Sequence, residues 1–189
     1  METTAVQKLA GALKVLVTIT LVCNLVALLL VPGMSLMKGP EELLALTPYE
    51  NPLEVPLRVG IAFVLSWGWV WTAGVYEVVL ALFLLFCGIC TAVILWQGRR
   101  VLGTILTGAP FRAENGVSLR RAAVCCFLIA AAALARVVWG LFYYGSVAPL
   151  LTYNALFVPI FILGGLLCLV MSALFRQAAE LKAENDLTI

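Results

Sequence analysis

Long apolar runs separated by short polar stretches set the rhythm of this chain. "VLVTITLVCNLVALLLV" fills residues 15–31, and further runs cover about 76–96, 122–144 and 156–175. Each approaches the ~20 residues that an α-helix needs to cross a ~30 Å hydrocarbon core. The first run follows Lys8 and Lys14 and stops at Pro32 and Gly33, flanks that a signal peptide also has. It lacks a small-x-small cleavage site and is read as a retained first helix. The pattern therefore predicts an all-α integral membrane protein, a bundle of four transmembrane helices in one domain. The spans fall at about 13–32, 76–97, 122–144 and 155–176, with an outer segment at 33–75, an inner loop at 98–121 and a tail at 177–189.

The outer segment breaks the pattern. Gly39, Pro40, Glu41 and Glu42 read as a helix start, with carboxylates at the positive end of the dipole, so "ELLAL" predicts a turn or two lying on the membrane surface. Pro48, Pro52 and Pro56 then favour an extended path. From residue 59 to 71 large and small side chains alternate, which fits a strand. A lone strand cannot lie in lipid with its backbone unpaired, so it is expected in a small extracytoplasmic cap. A re-entrant segment or an extension of the second helix is the rival reading. Beyond the third span, Thr152 or Asn154 can cap the last helix, and Arg176 and Glu180 stand at ion-pair spacing on its polar extension, which is expected to stop at Asn185.

Charge orients the spans. Lys8, Lys14, Arg99, Arg100, Arg112, Arg120, Arg121, Arg176 and Lys182 flank the two termini and the inner loop, whereas the outer segment offers only Lys38 and Arg58. The positive-inside rule then puts both termini and the 98–121 loop in the cytoplasm, at the inner (plasma) membrane of a cell.

Composition supports the class and narrows the chemistry. The 189 residues are 63% hydrophobic and 12% charged, with a net charge of +2, and the mean hydropathy is +1.08. So small a charge, with no basic block, argues against direct nucleic-acid binding. Histidine is absent, which removes the commonest general base and zinc ligand. All six cysteines lie inside apolar runs, where a thiol behaves as a small hydrophobe. Cys87 and Cys90 with Cys125 and Cys126 could form a metal or redox site, but the low dielectric of lipid suppresses thiolate, and helix packing is the preferred reading. No phosphate loop or nucleophile-base pair is visible. A non-enzymatic protein without cofactor or metal is expected.

Arg136 is the clear charge within a span and needs a partner, since a lone guanidinium in lipid costs at least ~2.5 kcal/mol. Glu77 is the expected partner and Asn24 the weaker candidate, in a structural pair or in a permeation path. Trp96, Trp139, Tyr143 and Tyr144 are expected in interfacial belts, as are Trp67, Trp69 and Trp71.

Two stretches echo each other, "FRAENGVSL" at 111–119 and "LKAENDLTI" at 181–189. The tail sets Glu184 and Asp186 at the negative end of a helix, while the loop has five arginines against Glu114, so the two are expected to meet, with Leu187 and Ile189 covering Phe111 or the base of the bundle. "LTGAPFRAENGVSLRR" together with "AELKAENDLTI" resembles a bacterial four-span membrane family of unknown function, over about the last 110 residues. Pro110, Phe111, Glu114, Asn115, Arg120, Arg121, Glu184, Asn185, Asp186 and Leu187 carry the likeness. Members of that family are often encoded beside a small Cro/CI-type helix-turn-helix regulator. The resemblance thus implies a membrane sensor or regulator that docks such a protein through these residues and Arg112. A small transport or permeation protein using the Arg136 region is the alternative, and a thiol-redox enzyme trails both. The expected partners are the lipid bilayer and the regulator, and the chain is compatible with a homo-oligomer.

Overall fold

A backbone surrounded by lipid must satisfy its own hydrogen bonds, and the described residues of this chain do so by being helical almost throughout. The computed structural model describes residues 5–36, 54–109 and 111–187. Its elements are α1 (Ala5–Leu36), α2 (Glu54–Trp69), a 3-10 turn (Val70–Thr72), α3 (Val75–Leu106), α4 (Ala113–Tyr144), a second 3-10 turn (Ala148–Leu151) and α5 (Tyr153–Leu187). There is no strand among the described residues. Among the described residues four helices are long and apolar enough to cross a membrane: Ala5–Gly33, Val75–Leu106, Ala113–Tyr144 and Tyr153–Asn185. Leucines, valines and phenylalanines stand exposed along their length, the surface expected where lipid is the solvent.

Two compact units make up the described chain. One is Leu25–Gly88. In it Val31, Val70 and Ala81 form a small core, backed by Leu84 and Leu85. The α2 helix reaches α1 through the Trp67 indole, whose Nε1 donates to the Leu29 carbonyl at 3.0 Å. Phe63 fills the space over Gly33. The strand expected over residues 59–71 is thus corrected to helix followed by a 3-10 turn. The large/small alternation misled because a second periodicity runs through the same residues. Ser66 and Val70 are buried and Phe63 half-buried, at the i, i+3, i+7 spacing of one helical face. An α-helix also closes its hydrogen bonds without a partner strand. The expected surface turn at "ELLAL" lies outside the described residues.

The second unit comprises the described residues of Met1–Asn24 and Ile89–Ile189. Its centre is α4, with 39% of its most apolar stretch buried, against 11% in α5. The cause is a pair of small-residue stripes at heptad spacing, Gly116, Ala123, Ala130 with Val137, and Cys126, Ala133 with Gly140, all buried. Small side chains let neighbouring backbones approach, which is how helices associate where no hydrophobic force separates protein from lipid. Gly116 meets Ser172 and Arg176, Phe127 meets Gly165, and Gly140 meets Pro149, so α4 and α5 run antiparallel. The second half of α3 is antiparallel to α4 by the same logic, with Thr104 against Asn115 and Cys90 against Cys125. Gly11 of α1 faces Leu106, and Lys14 faces Gly103.

The inner loop expected over 98–121 is mostly helix. Its first part belongs to the last turns of α3 and its second to the first turns of α4, leaving a tight connection at 107–112. Gly108, at φ 73°, makes this reversal possible. Gly145, at φ 59°, ends α4 as its left-handed cap, donating to the Leu141 carbonyl.

Candidate functional site

The pairings 11 with 106, 104 with 115 and 116 with 172 place the start of α1, the 107–112 turn and the far part of α5 at one end of the second unit. Lys8, Lys14, Arg99, Arg100, Arg112, Arg120, Arg121, Arg176 and Lys182 all belong to these segments.

The turn is anchored from both sides. Asn115, 2% exposed, donates from Nδ2 to the Thr104 hydroxyl at 2.7 Å, tying α4 to α3. On the other side the Ser172 hydroxyl donates to the Gly116 carbonyl at 2.7 Å. That contact exists because residue 116 has no side chain, since a Cβ there would stand 3.0 Å from the Ser172 carbonyl oxygen. The Phe111 ring lies 6.4 Å from that of Phe175, centroid to centroid. The expected cover of Phe111 by Leu187 and Ile189 rests on side chains outside the described residues; among those described, Phe175 of the last apolar turn of α5 lies beside Phe111.

The other residues singled out divide by position. Arg112, Glu114, Arg120 and Arg121 are exposed around the turn, whereas Asn115 is buried and serves as an internal brace. Beyond Arg176, α5 continues as helix to Leu187, two residues past the expected stop at Asn185. Arg176 pairs with Glu180 at 3.9 Å, the expected i,i+4 bridge, both side chains being well exposed. Glu184 and Asn185 are exposed, and each has a polar interaction. At ~1.5 Å per residue, Glu184 sits ~12 Å along α5 from the Arg176 contact with Gly116. Pro110, and the side chains of Asp186 and Leu187, lie outside the described residues.

Arg136 donates from Nη1 to the Asn154 carbonyl oxygen of the side chain at 3.3 Å. Asn154 follows the first residue of α5, so the pair sits by the 145–152 turn, at the opposite end from the basic cluster. Arg136 stands eight residues before the end of α4, ~12 Å by helical rise, about midway between the centre of the helix and its end. The expected partner Glu77 is in the first turn of α3, where its carboxylate lies against Gly74. That is the position in which an acidic side chain favours a helix N-terminus. Asn24 keeps a buried side-chain oxygen without a hydrogen bond.

Cys90 with Cys125, and Cys126 with Cys168, come within thiol hydrogen-bond reach. Among the described residues no three acidic or cysteine side chains converge as metal ligands. Trp139 stacks on Tyr143 at 4.8 Å, and Tyr144 packs edge-on to Tyr143, a cluster at the end of α4. Sequence reasoning missed Thr104, Gly116 and Ser172, small residues that look like filler in an apolar run. Gln97 and Thr104 at heptad spacing were the available signal of a polar face.

Long apolar helices, lipid-type surface and one polar, tightly braced end define a multi-pass helical membrane protein. The chain belongs to the family described as protein of unknown function (DUF2975), whose pattern matches residues 46–189. The match reaches further toward the N-terminus than the resemblance carried by the two echoing segments. No curated protein and no solved structure matches the chain.

Proposed function

We propose that this is a non-catalytic membrane sensor or regulator of the bacterial inner membrane, with both termini cytoplasmic, whose basic end docks a small helix-turn-helix regulator. The observation that carries the reading is the gathering of nine basic residues from three separate segments at one end, around a turn braced on both sides. Such asymmetry supports a cytoplasmic location. A braced turn also presents Arg112, Glu114, Arg120 and Arg121 in a fixed arrangement, as a docking surface requires. The helical extension of α5 past Arg176 adds exposed polar surface beside it. The class of partner comes from the resemblance, in which such regulators are encoded nearby.

The test is photo-crosslinking from position 120 or 121 in native membranes, with mass analysis of the adducts. A helix-turn-helix protein captured by the full chain, and lost on deleting residues 184–189 or on Arg112→Glu, supports the reading. Absence of any such adduct sinks it. The permeation alternative is disfavoured by the placement of Arg136 against Asn154 near the 145–152 turn. It would gain support from a solute retained by the wild type and lost with Arg136→Ala.

A further inference from the structure

A cavity of about 250 Å³ opens between the last turns of α3 and the first turns of α4. Arg100, Thr104, Thr107, Arg112, Glu114 and Ser118 line it. A second hollow, of about 260 Å³, adjoins it through Arg100 and adds Lys14, Trp96 and Arg99. Arg99 sits over the Trp96 ring at 5.7 Å.

Three features of the cavity are unbalanced. Among the described residues Arg176 pairs with Glu180, and neither Arg100 nor Arg112 has a carboxylate partner there. The N-cap of α4 is Arg112, with no side-chain cap on the helix, where a Ser, Thr, Asp or Asn would ordinarily accept from the first amides. A cation at the positive end of a helix dipole is unfavourable, and Glu114 offsets only one of the two guanidinium charges. Ser118 is 4% exposed, lines the cavity and has no hydrogen bond among the described residues, which leaves an unpartnered hydroxyl open to the cavity. The two threonines are already engaged, Thr104 donating to the Val101 carbonyl and Thr107 to the Thr104 carbonyl.

We propose that this cavity binds a phosphate-bearing anion. Arg100 and Arg112 neutralise it, while the Ser118 hydroxyl and the uncapped first-turn amides of α4 donate to its oxygens. An anion there supplies what all three features lack: a countercharge, a cap and an acceptor. The cavity lies where two apolar runs end, the depth of phospholipid headgroups, and Trp96 beside it suits that depth. The same chemistry fits a free phosphate. The site needs no protein partner, so it stands or falls apart from the docking function.

The full chain, purified in a neutral, phosphate-free detergent, is unfolded thermally while tryptophan emission is followed. Phosphatidylglycerol, phosphatidylcholine and inorganic phosphate are titrated separately. Phosphatidylglycerol is expected to raise the midpoint, saturably, with phosphatidylcholine far weaker. A hundredfold excess over the dissociation constant corresponds to a folding constant raised about a hundredfold. Arg100→Gln should raise the concentration needed by about tenfold or more, and Ser118→Ala by several-fold. Lys182→Gln, on the exposed extension of α5, should change nothing. Should Arg100→Gln lose helical circular dichroism, Arg112→Gln, exposed and outside the helix interior, gives the same reading. Saturation by inorganic phosphate at the same site supports the proposal with a soluble anion as ligand. Equal shifts by both lipids, or shifts that ignore the Arg100, Arg112 and Ser118 substitutions, overturn it.

Discussion

At the scale of single residues, the contacts that matter most involve what is missing or what is polar. Gly116 permits a close approach of α4 to α5, and any side chain there meets the Ser172 carbonyl. Gly116→Leu should force the helices apart and cost ~1 to 3 kcal/mol, read as a lower midpoint in thermal unfolding, with Val117→Leu, exposed on the same turn, close to neutral. Arg136 and Asn154 make a different case. Removing either breaks their hydrogen bond, at ~1 to 3 kcal/mol, so the loss in the double variant should be clearly less than the sum of the two single losses. Additive losses in that cycle would show that Asn154 is not what holds the guanidinium. Cys90 and Cys168 meet Cys125 and Cys126 of α4, and Cys87→Ala with Cys90→Ala is expected to leave regulator docking unchanged in the crosslinking assay. Loss of docking in that variant would revive a thiol role.

Elements carry the next set of consequences. The α2 helix is held to α1 by the Trp67 indole and by Val70, 1% exposed in the small core of its unit. Trp67→Phe keeps an aromatic side chain, though a smaller one, and deletes the donor, and should cost at least ~0.5 to 1.5 kcal/mol. Val70→Ala should cost somewhat more, because it opens space in a packed core. If residues 59–71 were a strand, cysteine accessibility there would alternate every second position. The helix predicts that positions 63, 66 and 70 are protected together while 64, 67 and 71 react. The extension of α5 is the opposite kind of element. Its described ion pair is exposed and worth ~0 to 1 kcal/mol, so deleting residues 184–189 should leave insertion and thermal stability intact.

For the whole molecule the decisive measurement is topology. Nine basic residues at one end predict that reporters fused after Lys38 and after Ala109 report opposite sides of the membrane, the second cytoplasmic. Both on one side would break the four-span arrangement. Reversal of the two would keep the spans but remove the docking function from the cytoplasm. A reporter after Ile189 should agree with the one after Ala109.

The number of spans and the lipid-facing class were legible in the sequence, because runs of ~20 apolar residues have no other stable solvent than a bilayer. The i,i+4 pair of Arg176 with Glu180 was legible too, since helical spacing alone brings such residues together. Local signals that admit two periods were not, and residues 59–71 fit both a strand and a helical face until Val31 and Ala81 were seen to meet Val70. Partners were the least legible. Arg136 could have paired with any polar residue on three other helices, and the antiparallel seating of α4 on α5 selected Asn154. Asn115 read as a surface residue of a polar motif, yet it is buried against Thr104, because the turn at 107–112 is far tighter than the charge pattern suggested. Composition and periodicity act along the chain and so decide what each segment is. Which small or polar side chains face one another depends on helix rotation and register, and packing sets both only when the helices assemble.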